Sequence, residues 1–363
     1  MSKLFEPINQ WIPAVGDNPL IIAGPCGAES LEQMVKTAEG LAALGKVHVF
    51  RTGIWKPRTR PNSFEGAGAI GLTWLKEVKN QFGFKTAVEV ANASHVEEAL
   101  KQDVDIVWIG ARTTVNPFSV QEIATALQGS KVGVMVKNPI HADLQLWIGA
   151  IERLLKADCH QLIAIHRGFY SYAKTIYRNT PLWEIPIGLK TTFPDLPIVC
   201  DPSHICGNRE LQPLIAQKAY DLKFDGLMIE SHWDPDAALS DKNQQFTPDA
   251  LGELLSNLRV RSNWCGDIDF RNNLDQLREE VDRVDEEILL FLSKRMDLIK
   301  AIGQYKKDNN VSVLQLERWK KILNTRIESG DKKALDKDFV EELYKVIHRE
   351  SIKVQTEIMN QNN

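Results

Sequence analysis

Eight short apolar runs rich in β-branched residues recur through the first 260 residues, and their number and spacing constrain the fold more than any other feature. They read LIIAG (20–24), VHVF (47–50), TAVEV (86–90), DIVWIG (105–110), VGVMV (132–136), LIAIH (162–166), PIVC (197–200) and GLMIE (226–230). Amphipathic helical stretches separate them at intervals of roughly 30 residues, the pattern of a parallel sheet covered by helices. Eight even repeats match a (β/α)8 TIM barrel. The rival, an open doubly wound sheet, rarely reaches that count with that regularity. A barrel is expected over residues 1–260.

Beyond residue 270 the texture changes to dense Glu, Lys and Arg with few glycines and no strand-like runs. Residues 261–270, within RVRSNWCGDIDF, read as a linker, and 271–363 as an all-α domain. Leu274, Leu277, Val281, Val284, Ile288 and Phe291 step by three and four, and Leu298, Ile302 and Tyr305 continue the register. Such a helix runs for about 35 residues, or roughly 50 Å. Two shorter helices are expected around 313–329 and 337–359. A stripe that long cannot be buried against a segment of about a hundred residues, so three helices intertwined in a homodimer are expected.

Composition excludes several classes. A formal net charge of −4 gives no bulk attraction to nucleic acid or to an anionic membrane. No apolar run approaches the roughly 20 residues of a membrane span. The opening MSKLFEPINQWIPAVGDNP lacks the basic-then-apolar order of a secretion signal. Five cysteines, an odd number without a small-domain framework, suit a reducing compartment. A cytoplasmic protein is expected.

Barrel enzymes work at the C-terminal ends of their strands. Here those ends carry Cys26; Arg51, with Lys56 and Arg58 following; Glu89; Arg112; Lys137; His166 and Arg167; Asp201 and His204; and Glu230. Any one of these is ordinarily a surface charge or a satisfied polar group, but eight polar ends in succession describe a site. Arg51, Lys56, Arg58, Arg112, Lys137 and Arg167 are cations converging on one mouth, which calls for phosphate- and carboxylate-bearing substrates. Cys26, His204, Glu230 and Asp241 offer sulfur, nitrogen and oxygen donors suited to a divalent transition metal. GAGAIG (66–71) matches the dinucleotide pattern, but the preceding WKPRTRPNSFE contains two prolines and cannot be the required buried strand.

The motifs IAGPC, RTGIWKPRTRP, IGAR, VMVKNP, IHRG, DPSH, MIESH and ALSDKNQQ fall in this order on successive strand ends. In this the region of about 15–260 resembles the type Iβ 3-deoxy-D-arabino-heptulosonate 7-phosphate (DAHP) synthases. The resemblance implies that Cys26, His204, Glu230 and Asp241 bind the metal, with Mn2+ first and Co2+, Fe2+ or Zn2+ as alternatives. It implies that Arg51, Lys56, Arg112, Lys137 and Arg167 hold phosphoenolpyruvate, and that Pro57, Arg58 and Thr59 position erythrose 4-phosphate. Lys56 and Lys137 are the catalytic candidates. The nearest alternative is 3-deoxy-octulosonate 8-phosphate synthase, whose corresponding loop typically reads KANR where this chain reads KPRT.

In the helical segment Arg295 occupies an apolar register position, and Lys306 lies eleven residues on, on nearly the same face. Ser351 and Gln355 are four apart and share a face. A polar seam fixing dimer register explains these residues as well as a site does. Residues 268–358 also resemble the AroQ-type chorismate mutases, with Arg278, Arg295, Lys306, Arg318, Ser351 and Gln355 at the family's spacings. The resemblance implies chorismate as substrate, Lys306 and Gln355 donating to its ether oxygen, and Arg278 reaching into the other subunit's pocket. Gln315 and Trp319 depart from the aspartate and glutamate common there, which puts the mutase rate and its pH dependence in question. Feedback by prephenate through the helical domain is expected. A mainly regulatory helical module is the alternative.

Overall fold

The computed structural model describes residues 4–55, 64–172, 175–262 and 267–361. The chain divides into two compact units, Met1–Asn263 and Trp264–Asn363. In the first, β1 (Leu20–Gly24), β2 (Val49–Thr52), β3 (Lys85–Val90), β4 (Ile106–Ile109), β5 (Gly133–Lys137), β6 (Leu162–His166), β7 (Ile198–Cys200) and β8 (Gly226–Glu230) close in sequence order into a parallel barrel. The expected (β/α)8 barrel is therefore present, each strand within three residues of its apolar run. The helices covering it are α1 (Leu31–Ala43), α2 (Ile70–Phe82), α3 (Ala93–Lys101), α4 (Pro117–Leu127), α5 (Leu144–Lys156), α6 (Glu184–Thr192), α7 (Gln212–Asp221) and α8 (Pro248–Asn257). Side chains of Ser30, Asn92, Asn116, Asp143 and Thr247 cap five of them by accepting from first-turn amides.

Strand residues alternate between two cores. Ile22, Val49, Ala87, Ile106, Trp108, Met135, Ile163, Ile165, Val199 and Met228 fill the barrel, joined by Ile12 and Val15 from the segment before β1. Their neighbours along the strands, including Phe50, Val88, Val107, Val134, Ala164 and Leu227, meet the helices. Both faces are buried, which is why these strands read as continuous apolar runs.

Closure decides which strand ends meet. β1 pairs with β8 from Leu20–Gly226 to Gly24–Glu230, so Cys26, two residues past β1, emerges beside Glu230. At Gly24, φ is 152° and a Cβ would lie 2.1 Å from the Arg51 carbonyl oxygen, so only glycine lets β1 pass β2 here.

The second unit consists of α9 (Ile268–Asp308), α10 (Leu316–Asp331) and α11 (Lys337–Asn360), with α11 packed on both others. At 41 residues α9 is longer than its register suggested, because Asp267 caps it upstream of the first apolar step. Leu277, Val281, Val284, Phe291 and Leu298 stay more than half exposed, Phe291 at 64%. A single copy of this unit leaves the apolar stripe of α9 uncovered.

Candidate active sites

At the barrel mouth the closed sheet presents its charges to one another. Arg51 and Lys137 lie inside the barrel at 2% and 4% exposure, above Trp108, whose ring centre is 4.7 Å from the Arg51 guanidinium carbon and 6.0 Å from Lys137 Nζ. Neither cation is left unpaired: Arg51 Nη1 donates to Glu230 Oε1 at 2.9 Å, and Lys137 Nζ donates to Asp201 Oδ2 at 2.9 Å. Two of the six expected cations are thus neutralised by carboxylates, Asp201 just past β7 and Glu230 at the end of β8. Arg167 is half-buried, its backbone amide held by Asn138 Oδ1 at 2.7 Å, and burial first, then Arg178 and Arg112, pull its guanidinium down to about 10. Arg112 is exposed on the single turn Ala111–Thr114 that follows β4. Lys56, Pro57, Arg58 and Thr59 lie outside the described residues.

The thiol of Cys26 and carboxylate oxygens of Glu230 and Asp241 lie within 4.8 Å of one another. Cys26 Sγ is 3.3 Å from Asp241 Oδ2, and its backbone amide is fixed by Gln245 Oε1 at 2.8 Å. His204 stands beside this trio, Nε2 3.8 Å from Glu230 Oε1 and Nδ1 2.8 Å from Asp201 Oδ2. Burial holds the His204 imidazole below its ordinary value, with Lys137 adding to the depression against Asp201 and Glu230. Burial pushes Asp201 upward, but His204 and Lys137 outweigh it and hold the carboxylate well below its ordinary range. Asp201 is therefore the anion of the pair and fixes the proton on His204 Nδ1, which turns a neutral Nε2 toward the cluster. A carboxylate orienting an imidazole in this way is the usual support of a metal-ligating histidine. Mixed sulfur, nitrogen and oxygen donors, with Cys26 and Glu230 buried and His204 and Asp241 half-buried, fit a divalent transition metal. The sequence reading missed Asp201 as the orienting group, Trp108 as the floor, Arg178 as the partner of Asp241, and Gln244 as the partner of Glu230. Asp201, within DPSH, and Gln244, within ALSDKNQQ, carried a local signal.

In the helical unit Arg295, Lys306, Arg318, Ser351 and Gln355 line one cavity of about 510 Å3, together with Trp319. Arg295 Nη1 donates to Ser351 Oγ at 2.7 Å, Gln355 Nε2 to the Ser351 carbonyl at 3.2 Å, and Lys306 Nζ to the Val313 carbonyl at 2.6 Å. Burial pulls both Arg295 and Lys306 below their ordinary values. Trp319 stacks on His348 with ring centres 3.9 Å apart, and Gln315 also lines the cavity. Arg278 is not part of this cavity; it is exposed on α9 and pairs with Asp275 at 3.1 Å.

Fold and sites together define a TIM-barrel enzyme that handles anionic substrates, joined to a helical unit with a cationic pocket of its own. Residues 8–262 match the DAHP synthetase I family and residues 277–356 match chorismate mutase type II. The chain is 30% identical over 272 residues to a phospho-2-dehydro-3-deoxyheptonate aldolase of Thermotoga maritima, covering 73% of this chain and 78% of that one. It is 27% identical to a 2-dehydro-3-deoxyphosphooctonate aldolase of Nitratidesulfovibrio vulgaris, over 66% of this chain and 90% of that protein. A crystal structure of the Thermotoga maritima DAHP synthase superposes with a TM-score of 0.60 at 29% identity, covering 66% of this chain and 68% of that one. A truncated form of the Thermotoga synthase gives 0.58 at 26% identity, covering 66% and 85%. The chain belongs to the DAHP synthetase I family and carries a chorismate mutase type II domain after the barrel. Among the described residues no helix is long and apolar enough to cross a membrane.

Proposed function

We propose that the barrel condenses phosphoenolpyruvate with erythrose 4-phosphate to DAHP and phosphate, and that the helical domain rearranges chorismate to prephenate, both in aromatic amino acid biosynthesis in the cytoplasm. The observation that carries the first half is the cluster of Cys26, Glu230 and Asp241 beside His204. It sits in the same mouth as Arg51, Lys137 and Arg167.

Cys26, His204, Glu230 and Asp241 would hold the ion, Mn2+ in this proposal, with Co2+, Fe2+ and Zn2+ acceptable to the same donors. Bound there, it supplies Lewis acidity toward the aldehyde oxygen. Arg51, Lys56, Arg112, Lys137 and Arg167 would bind the carboxylate and phosphate of phosphoenolpyruvate and present its C3 to the aldehyde carbon. The C3–C1 bond forms, water adds at the cationic C2, and phosphate leaves. Pro57, Arg58 and Thr59 would orient the aldehyde's phosphate end. The cation array acts by alignment, an effect that reaches about 7–11 kcal/mol in well-oriented systems. Lys137, held by Asp201 and buried inside the barrel, is the proposed proton carrier.

In the helical pocket the reaction is intramolecular, so the residues need only hold the folded diaxial form of chorismate and stabilise charge on its ether oxygen. Arg295 and Arg318 would clamp carboxylates, Ser351 would orient Arg295, and Lys306 and Gln355 would donate to the ether oxygen. The uncovered stripe of α9 supports a homodimer, and Arg278, outside its own pocket, would then serve the partner's.

The test is phosphoenolpyruvate consumption in chelator-stripped protein before and after adding Mn2+. Turnover restored with erythrose 4-phosphate supports the assignment. A requirement for arabinose 5-phosphate would replace it with the octulosonate reaction, and no turnover with either aldehyde would overturn it.

A further inference from the structure

Arg178 lies on the loop after β6 and belongs to none of the motifs that point to the site. Its Nη1 donates to Asp241 Oδ1 at 3.0 Å and to Gln244 Oε1 at 2.9 Å. Gln244, at 1% exposure, passes the contact on: its Nε2 donates to Glu230 Oε2 at 2.7 Å. One guanidinium nitrogen is therefore bonded directly to one carboxylate of the cluster and, through a buried amide, to the other. It also fixes which way the Gln244 amide faces, since the oxygen must point to Arg178 and the nitrogen to Glu230.

The fold is built to put Arg178 there. The next residue, Asn179, is buried; its backbone amide donates to the Ile205 carbonyl at 3.0 Å and its side chain to the His204 carbonyl at 2.6 Å. This ties the loop to the short helix Pro202–Cys206 that carries His204. That helix ends on Gly207, with φ at 70°, and a Cβ there would lie 2.8 Å from Arg178 Cβ. Glycine thus serves both the left-handed helix end and the close passage of the arginine stem. On the far side, Asp241 is itself held at a φ of 47°, an uncommon conformation for a residue other than glycine. The bond to Arg178 spans these two segments.

We infer that Arg178 is a positioning residue for the divalent-ion site, holding Asp241 directly and Glu230 through Gln244 in the orientation that faces Cys26. The inference rests on the reading of that cluster as the metal site. Two effects of Arg178 on an ion oppose each other. Its charge repels the ion, and its hydrogen bonds orient the carboxylates. Orientation dominates: the arginine side chain is 47% exposed, so solvent screens the repulsion, whereas the bonds are direct and Gln244 is buried. Arg178 also bonds the Oδ1 of Asp241, while the oxygen next to Cys26 is Oδ2. Outer partners of this kind change metal affinity by about 10–100-fold.

The experiment is direct titration of the full-length, ion-free protein with Mn2+ against a chromophoric chelator, with unfolding midpoints of the ion-free forms alongside. Arg178→Met is expected to weaken Mn2+ binding by about 10–100-fold with little change in the midpoint, and Arg178→Lys to recover part of the loss. Binding by Arg178→Met as tight as, or tighter than, native would overturn the inference, because the repulsion would then be the larger effect. Cys26→Ala separates the two claims. If the native protein binds Mn2+ and Cys26→Ala does not, the site stands whatever the Arg178 variants show. If Cys26→Ala binds as the native protein does, the site reading falls and the inference with it.

Discussion

His166 sets a limit on how the barrel tolerates acid. It ends β6 on the face turned to the helices, with ring centres 5.0 Å from Trp183, 5.8 Å from Phe169 and 6.1 Å from Phe224. No hydrogen bond of good geometry reaches either ring nitrogen among the described residues. Burial first, and then Arg167, push the imidazole from 6.5 down to about 3, and Asp201 and the Pro181 carbonyl offset this only in part. The folded protein therefore refuses a proton that the unfolded chain takes up near 6.5, and stability is lost as pH falls from 6.5 toward 3. At 1.36 kcal/mol per unit, the loss from this residue is about 2 kcal/mol at pH 5 and about 3 kcal/mol at pH 4. His166→Phe removes the titration and keeps an aromatic ring among aromatic neighbours. Urea unfolding followed by tryptophan fluorescence, which Trp183 reports locally, compares the two proteins at pH 7 and pH 5. Whatever offset the substitution causes at pH 7, the variant should gain about 2 kcal/mol relative to native on going to pH 5. Groups common to both proteins cancel in that difference. An offset that stays constant from pH 7 to pH 5 would refute the reasoning, since His166 would then titrate alike in both states.

Three further outcomes are expected. Lys137→Met strands Asp201 in the barrel; because His204 can still partner it, the cost should fall near the lower end for a broken buried pair, about 3 kcal/mol by urea unfolding, with synthase turnover abolished. A cost below about 1 kcal/mol would show that Asp201 does not depend on the lysine. Arg278→Ala and Arg295→Ala should each lose mutase turnover. Co-refolded in equal amounts they should recover about a quarter of native activity, because half the dimers are mixed and each has one intact shared site. No recovery would mean that the pocket is complete within one chain. Prephenate should lower synthase turnover in the full-length protein, and an unchanged rate would remove feedback through the helical domain.

The apolar runs displayed the barrel because strands buried on both faces need nothing but apolar residues, and eight of them at even spacing leave few other closures. The register of α9 was equally plain, since helix periodicity is a local property, though its first turn extended beyond the apolar pattern to the cap at Asp267. Residue types at the strand ends showed donors suited to a divalent metal, Cys26 and Glu230 among them, and cations suited to anionic groups. That Arg51 and Lys137 are already neutralised by Glu230 and Asp201 was not legible, because residues 179 and 64 positions apart meet only through sheet closure. Arg178 was invisible for the same reason: its meaning comes from Gly207, Asn179 and Asp241, which lie far from one another along the chain.

By itself the sequence determined the periodicities, and with them two units of different architecture, together with the donor chemistry at the barrel mouth and the cationic seam of the helical unit. Tertiary structure alone decided which charge neutralises which, that Asp201 sets the tautomer of His204, and that Arg178 holds the cluster through Gln244. The physical reason is range. Periodicity is set by bonds between residues a few positions apart, whereas charge pairing and ligand orientation are set by distances of about 3 Å between groups that the chain brings together only after the barrel has closed.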